Sequence, residues 1–245
     1  MPPLRLPAKG QDLNENIYTG EWYGRERCAG ADFPRHRHAF GYMCVILSGG
    51  LDEAGDSGRF RARAGDVLVH KPFEAHLDLL GLAGAEVLNL PLVPGLPEGL
   101  ISVGDPDSIA RLAERSPMAA SRAVAACFSG RGGESDWPDL LAASLRRPGS
   151  FSIRSWAGRH GLAPETVSRG FRQAYGTTPR RYRAEARTRR AWFEVSAGAQ
   201  PLAEIAFDLG FADQSHMTRS LTAMTGLSPG KWRSGDQVGS RPGAR

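Results

Sequence analysis

The second half of the chain contains one sequence pattern twice, with a separation of 49 residues. Each copy has two apolar residues, an alanine, a glycine four residues later and a further apolar residue. The two sets are Ile153, Trp156, Ala157, Gly161 and Leu162, and then Leu202, Ile205, Ala206, Gly210 and Phe211. This spacing is typical of a short helix with one packed face, and glycine suits the backbone conformation in which helices end. Because a second helical stretch follows each copy, the repeat predicts two helix-turn-helix units.

The second helix of each unit is predicted over about residues 165–175 and 214–225. Pro164 suits the start of the first, and Asp213 is interpreted either as an N-cap of the second or as a DNA contact. The residues predicted to pack inward are Val167, Phe171, Ala174, Met217, Leu221 and Met224. Outward-facing side chains near the start of such a helix reach base edges in the major groove of DNA. The predicted DNA-binding residues are Glu165, Ser168, Arg169, Arg172, Gln214, Ser215, Thr218 and Arg219.

The charge of the chain is concentrated in the half that carries the repeat. Residues 148–245 contain 15 Lys and Arg against 7 Asp and Glu, a net charge of +8, whereas residues 1–147 have 16 against 19, a net charge of −3. A basic surface is what binding to phosphates requires. Between the copies, residues 179–196 are predicted to form a helix rich in arginine. These arginines are interpreted as a solvated face with some phosphate contacts, on a spacer that holds the two recognition helices about one DNA turn apart.

The region from about Phe151 to Arg233 resembles the DNA-binding domain of AraC/XylS-type bacterial transcription regulators. The resemblance rests on the segment 205–219 (IAFDLGFADQSHMTR), followed by Gly226-Leu227-Ser228-Pro229 and by Trp232-Arg233. Met217 and Leu221 stand where the family usually has phenylalanine, and Gly170 lies inside the first recognition helix. The resemblance implies a transcription regulator that binds double-stranded DNA.

The first half of the sequence predicts many short strands. Tyr42–Leu47 is an apolar run ended by 48–50 (SGG), Val67–Val69 is a second run, and Arg59–Arg63 alternates as a half-exposed strand does. Short strands with regular turns favour a sandwich or barrel. Residues 107–128 then predict a helix that Pro117 interrupts. A further short helix is predicted over 137–145.

His36-Arg37-His38, Gly49, Gly65-Asp66, Pro72 and His76 follow one another in the order found in cupin barrels. The resemblance to cupins covers roughly residues 30–80 and implies a barrel with a small effector in its mouth. The expected pocket residues are His36, His38, Tyr42 and His76. As an alternative, His36, His38 and His76 could hold a transition metal. Metal-binding cupins usually supply a glutamate three or four residues after the histidine pair, where this chain has Tyr42 or Met43, so we expect neither a metal nor another cofactor.

The expected fold class is therefore α+β and multidomain, with a cupin-like β-barrel followed by an all-α domain with two helix-turn-helix motifs. The predicted boundaries are 1–104 for the regulatory domain, 105–147 for a helical connector and 148–238 for the DNA-binding domain. Three cysteines in no metal or disulfide spacing are interpreted as reduced thiols, and no apolar run is long enough for a membrane span. We expect a cytoplasmic protein without a membrane partner.

The expected function is effector-responsive regulation of transcription, with activation favoured over repression and no enzymatic activity. The expected partners are double-stranded DNA and a small-molecule effector, and the family is also compatible with contacts to RNA polymerase and with a homodimer. Two alternatives stay open from sequence: a cupin metalloenzyme fused to a DNA-binding domain, and an architectural DNA-binding protein without a preferred site.

Overall fold

The computed structural model describes residues 17–18, 23–28, 32–130 and 136–235. In this part of the chain the N-terminal region is built mainly from strands. They are β1 (Ile17–Tyr18), β2 (Gly24–Cys28), β3 (Phe33–His38), β4 (Tyr42–Gly55), β5 (Arg59–Arg63), β6 (Asp66–His70), β7 (Ala75–Pro91), β8 (Gly99–Ser102) and β9 (Ser129–Gly130).

The strands form one sheet in which the long strands β4 and β7 are central. The order along the main path is β1-β3-β7-β4-β6-β8-β9, with β2 paired to β7 and β5 paired to β4. β7 pairs in antiparallel fashion with β2, β3 and β4, which makes it the strand that joins most of the sheet. Among the described residues the path has two ends, β1 and β9, and no hydrogen-bonded pair closes it.

One sequence prediction for these strands is wrong. The Ser48-Gly49-Gly50 segment does not end the strand that begins at Tyr42, because β4 continues to Gly55. The register against β7 shifts between Ile46 and Ser48 and again between Gly49 and Leu51, so the glycines lie in an irregular part of a continuous strand. Gly49 has a φ of +71°, and a Cβ there would lie 2.2 Å from the carbonyl oxygen of Gly84. The glycine therefore permits a close approach of two backbones within the sheet.

Two helices, α1 (Pro106–Ala113) and α2 (Pro117–Cys127), pack against one face of the sheet. The break at Pro117 is confirmed, and Ser116 caps α2 by accepting a hydrogen bond from the Ala119 amide. Side chains of β4 alternate between the two faces. Met43 and Val45 join the core formed with α1 and α2, whereas Tyr42, Cys44 and Ile46 join the core on the opposite face.

The C-terminal region is helical. Its helices are α3 (Trp137–Arg146), α4 (Ile153–Arg159), α5 (Pro164–Tyr175), α6 (Pro179–Ala197), α7 (Leu202–Asp208), α8 (Gln214–Thr225) and α9 (Pro229–Ser234). The helices α3 to α8 are confirmed in the predicted order, and their ends agree with prediction to within one or two residues, whereas α9 was not predicted. The predicted domain boundary at residue 238 lies outside the described residues.

The chain divides into two compact units at Asp139 and Leu140, within α3. The first unit contains the sheet with α1 and α2, and the second contains α4, most of α5 and α6 to α9. The described layout is thus a sheet-rich N-terminal region followed by a helical region with two helix-turn-helix units. Within the described residues, none of the helices combines the length and apolar character that crossing a membrane would take.

Candidate functional site

The two copies of the repeat form the same local structure. In the first, the Leu162 amide donates to the Ala157 carbonyl over 3.0 Å, and in the second the Phe211 amide donates to the Ala206 carbonyl over 2.9 Å. Gly161 and Gly210 have φ values of +65° and +72°. Both turns therefore use the left-handed backbone conformation that the sequence pattern predicted.

The inward faces of α5 and α8 agree closely with prediction. Val167, Phe171, Met217 and Leu221 are fully buried. Ala174 is only half-buried, whereas the next residue, Tyr175, is buried completely. The buried residues fix which side of each helix remains outward.

The outward faces of α5 and α8 carry the eight predicted DNA-binding residues. Seven of them are exposed, and Thr218 is half-buried. On α5, Glu165, Ser168 and Arg172 are separated by three and four residues, so they follow one side of the helix. The two helices thus present polar and basic side chains on surfaces that other parts of their own unit leave accessible.

The N-cap interpretation of Asp213 is confirmed. Its carboxylate accepts a hydrogen bond of 2.6 Å from the His216 amide, which satisfies one of the free N–H groups at the start of α8. This contact fixes the beginning of the helix that carries Gln214 and Ser215.

Several arginines of α6 have partners within the protein. The Arg187 guanidinium donates to the Gly210 carbonyl over 2.6 Å and lies 4.3 Å from the centre of the Phe211 ring. Arg183 donates to the Gly149 carbonyl, and Arg181 donates to Glu185 over 2.9 Å. These arginines hold turns and their own helix, so the high arginine content of α6 does not translate directly into phosphate contacts.

The last part of the repeated region closes the helical unit. Gly226 ends α8 with a φ of +77°, and Pro229 begins α9. The Trp232 indole donates to the Thr225 hydroxyl over 2.9 Å, and its ring contacts Trp192 edge to face at 5.6 Å. Trp232 is therefore a packing residue of this unit.

A second candidate site is a pocket of about 60 Å³ in the N-terminal unit. Of the four predicted pocket residues, His36, His38 and Tyr42 line it. His76 is almost fully buried, and its ring centre lies 4.4 Å from that of His36 and 5.4 Å from that of His38. The histidines that the sequence separates by 40 residues are thus neighbours, because Phe33–His38 pairs with the beginning of β7.

Burial controls the protonation of these side chains. It lowers the pKa of His36 to about 4 and lowers the pKa of His38 and of His76 well below the ordinary value. Arg35 adds to the effect at His36 and His76, and at His38 and His76 a proton would also be repelled by any proton on a neighbouring histidine. Their imidazoles are neutral near pH 7, so each has a nitrogen lone pair. At His36 the Nδ1 atom lies 2.8 Å from the Pro34 carbonyl, which favours a proton on Nδ1 and leaves the lone pair on Nε2.

The pocket also contains ionisable residues that the sequence reasoning missed. Glu53 of β4 and His70 of β6 both line it, and their Oε2 and Nε2 atoms are 3.3 Å apart. Burial, with the Asp78 and Glu74 carboxylates, raises the pKa of Glu53 well above its ordinary value. Burial also raises the pKa of Asp78 to about 7. Glu53 could have been found from the sequence, because side chains alternate between the two faces of a strand and this places Glu53 on the same face as Leu51.

Glu74 stabilises a turn. Its two carboxylate oxygens accept hydrogen bonds from the Ser57 amide over 3.2 Å and from the Lys71 amide over 3.1 Å. It lies outside the lining of the pocket.

Comparison with known proteins finds relatives of the helical region. A family model described as a helix-turn-helix domain matches residues 156–235. The arabinose operon regulatory protein of Escherichia coli K12 is 33% identical over 86 residues, which cover 35% of this chain and 30% of that protein. The protein of the same name from Salmonella typhimurium LT2 is 33% identical over 85 residues, with the same coverage. The match thus spans less than a third of the length of these curated relatives.

Among solved structures, ToxT from Vibrio cholerae has a TM-score of 0.38 and 10% identity to this chain. That alignment covers 87% of this chain and 97% of ToxT.

Proposed function

We propose that the whole protein is a sequence-specific, DNA-binding regulator of transcription. Residues 156–235 belong to the AraC type of helix-turn-helix regulators, and this supports the proposal. The observation that carries the proposal is the pair of matching units with polar and basic outward faces on α5 and α8. The net charge of +8 on residues 148–245 supports the same partner, double-stranded DNA.

In this proposal the outward side chains divide the reading between two adjacent segments of the major groove. Arg169, Arg172 and Arg219 can each pair with guanine through two hydrogen bonds, and Gln214 can pair with adenine in the same way. The remaining contacts come from Glu165, Ser168, Ser215 and Thr218. Arg187 has no part in the proposed base contacts, because the Gly210 carbonyl and the Phe211 ring hold its guanidinium.

We further propose that the N-terminal region is a cupin-like regulatory domain, residues 1–104, followed by a connector over 105–147 and a DNA-binding domain over 148–238. The long strands β4 and β7, which change partners along their length, support a strongly curved sheet. The effector pocket is then lined by His36, His38 and Tyr42, with His76 buried beside the two histidines. Its mixture of neutral imidazoles, a phenol and apolar walls suits a small molecule with polar groups.

A physical connection between the pocket and the helices α1 and α2 follows from the alternation of β4. Tyr42 and Cys44 lie on the face of the pocket, whereas Met43 and Val45 pack in the core shared with α1 and α2. In this proposal a ligand that shifts the β4 backbone at Tyr42 also shifts Met43 and Val45 in the opposite core. We propose that an effector acts through this strand to change transcription. The protein itself is proposed to be an activator in the cytoplasm. RNA polymerase and a second copy of the chain are its further proposed partners.

The decisive experiment is selection of duplexes from a randomised pool by the full-length protein at physiological salt. The expected result is enrichment of sites with two conserved segments, one for each recognition helix. Recovery of no preferred sequence would overturn the proposal and favour an architectural DNA-binding protein. A thermal-shift screen of small metabolites tests the effector pocket separately, because a ligand of the folded state raises the melting temperature.

A further inference from the structure

A second set of three potential metal ligands consists of Glu53 and His70, which line the pocket, and His76, which is buried next to His70. One ligand atom from each lies within 4.8 Å of the other two. This set differs from His36, His38 and His76, which the sequence suggested and which also lie within 4.8 Å of one another. The two sets share only His76.

Glu53 distinguishes the second set. Its side chain is 1% exposed, and neither carboxylate oxygen has a hydrogen-bond partner among the described residues. A buried carboxyl group whose oxygens make no hydrogen bond is unfavourable, since it has lost its hydration without replacement. A positive ion bound to it would remove that cost.

The spacing of the donors suits a small divalent ion. The Oε2 atom of Glu53 and the Nε2 atom of His70 are 3.3 Å apart. Two ligands at ~2.0–2.1 Å from an ion in tetrahedral geometry are separated by about 3.3–3.4 Å. The Nδ1 atom of His76 has no hydrogen-bond partner in the described part of the chain, and the His76 and His70 ring centres are 4.3 Å apart.

The surroundings orient this set in the way that metal ligands are usually oriented. The Tyr42 hydroxyl lies 3.3 Å from His76 Nε2, and the Tyr42 ring stacks on His70 at 4.5 Å. Contacts of this kind fix the rotation of ligand imidazoles. Two histidines and one carboxylate are a ligand combination used for zinc and for ferrous iron, and three protein ligands leave at least one coordination position open.

We propose that Glu53, His70 and His76 bind one divalent transition-metal ion beside the pocket. This deepens the proposed effector pocket, on which it rests for its role: an effector with an oxygen or nitrogen donor would complete the coordination of the ion. The binding of the ion itself is a property of the N-terminal unit and does not require DNA.

The test is titration of full-length protein, freed of metal by a chelator, with zinc alone by calorimetry and with cobalt(II) by absorption spectroscopy. The expected result is one ion per chain, a higher melting temperature with zinc, and a cobalt spectrum without a thiolate charge-transfer band. A thiolate band would place the ion at Cys28 or Cys44 and would overturn the proposal.

Three variants locate the ion. Glu53→Gln keeps the side-chain size and His70→Asn keeps a polar side chain of smaller volume, and each should weaken zinc binding at least tenfold. His36→Asn, which disrupts only the other set, should change it less than threefold. Glu204→Gln, a carboxylate change on the exposed surface of α7, is the matched control and should bind zinc as the unmodified protein does. Zinc binding lost in His36→Asn but retained in Glu53→Gln would contradict the assignment.

Folding is measured on the same samples. Metal-free Glu53→Gln should melt close to the temperature of the unmodified metal-free protein, because the two side chains have the same size and burial raises the pKa of Glu53 well above its ordinary value. It should lose the increase caused by zinc. DNA selection with each protein distinguishes the two proposals. Selective DNA binding by a protein that binds no zinc overturns only the proposed metal site. Zinc binding without DNA selectivity overturns only the proposed function as a sequence-specific regulator.

Discussion

The two helix-turn-helix units have the same turn, yet they hold their second helices by different means. In both, the residue before the helix accepts the first helical hydrogen bond, from Val167 to Ala163 over 3.0 Å and from Met217 to Asp213 over 3.2 Å. Asp213 also caps its helix with its carboxylate, which the methyl side chain of Ala163 cannot do. The second turn is further held by Arg187.

This difference suggests that the two units contribute differently to DNA binding. The second recognition helix has its start and the preceding turn fixed by side chains, so its outward residues are held more precisely. The first has Gly170 within its recognition helix, and glycine lowers helix stability by up to ~1 kcal/mol. We expect the second unit to contribute more of the sequence preference and the first more of the general affinity.

The largest effects should come from truncating the buried residue at the matching position of each recognition helix. Phe171→Ala should reduce the free energy of unfolding of the helical unit by about 3–5 kcal/mol, and Leu221→Ala by about 2–5 kcal/mol, because each leaves a cavity in a core. Chemical denaturation followed by tryptophan fluorescence measures both. A loss below about 1 kcal/mol at either position would show that this copy lacks a tightly packed core.

Replacing Arg169 and Arg219, which lie at matching positions of the two units, tests their different contributions to DNA binding directly. Arg219→Ala should weaken binding to the selected duplex by about 1–3 kcal/mol and relax one base preference. Arg169→Ala should weaken binding to selected and random duplexes more equally. Gel-shift titrations on both duplexes measure this, with Arg190→Ala on α6 as the control of equal charge change. Equal losses on both duplexes for Arg219→Ala would make Arg219 a phosphate contact.

Arg187→Ala should disturb only the second unit. It removes a charge-assisted hydrogen bond to Gly210 and a contact with the Phe211 ring, so we expect a loss of about 1–2 kcal/mol in stability. Hydrogen exchange should quicken in α7 and α8 and stay unchanged in α4. Faster exchange throughout the unit would show that Arg187 supports the whole domain and not one turn.

Arg187 also shows where sequence reasoning stops. The repeat, the two glycine turns and the inward positions Phe171 and Leu221 follow from spacing along one helix, so they were predictable. The partner of an arginine on α6 depends on which carbonyl group the fold brings near it. No local pattern records that distance.

The same limit applies to the pocket. His36 and His38 were recognisable because they are close in sequence, and a motif connected them to His76. Glu53 and His70 lie in separate strands that meet only through the pairing of β4 with its neighbours. The continuation of β4 through Gly49 was missed for a related reason, since glycine in a strand and glycine in a turn look alike in sequence.

The capping difference can be reversed by a pair of substitutions. Asp213→Ala should destabilise α8 by about 1 kcal/mol, and Ala163→Ser should stabilise α5 by a similar amount, since serine can accept a hydrogen bond from the amide three residues later. Hydrogen exchange of the first turn of each helix measures both effects. If Ala163→Ser leaves exchange in α5 unchanged, the start of α5 already has another cap.

The smallest expected effect distinguishes the first helices of the two units. Gly158 in α4 corresponds to Phe207 in α7, which is 83% exposed, and a Cβ added at Gly158 would meet no atom within 4 Å. Gly158→Ala should therefore stabilise the unit by about 0.5 kcal/mol, because alanine loses less backbone entropy in a helix. Gly161→Ala, three residues later, should instead destabilise it, since Gly161 has a φ of +65°. The melting temperatures of the two variants should shift in opposite directions. Shifts of the same sign would mean that backbone conformation does not decide which glycine the repeat requires.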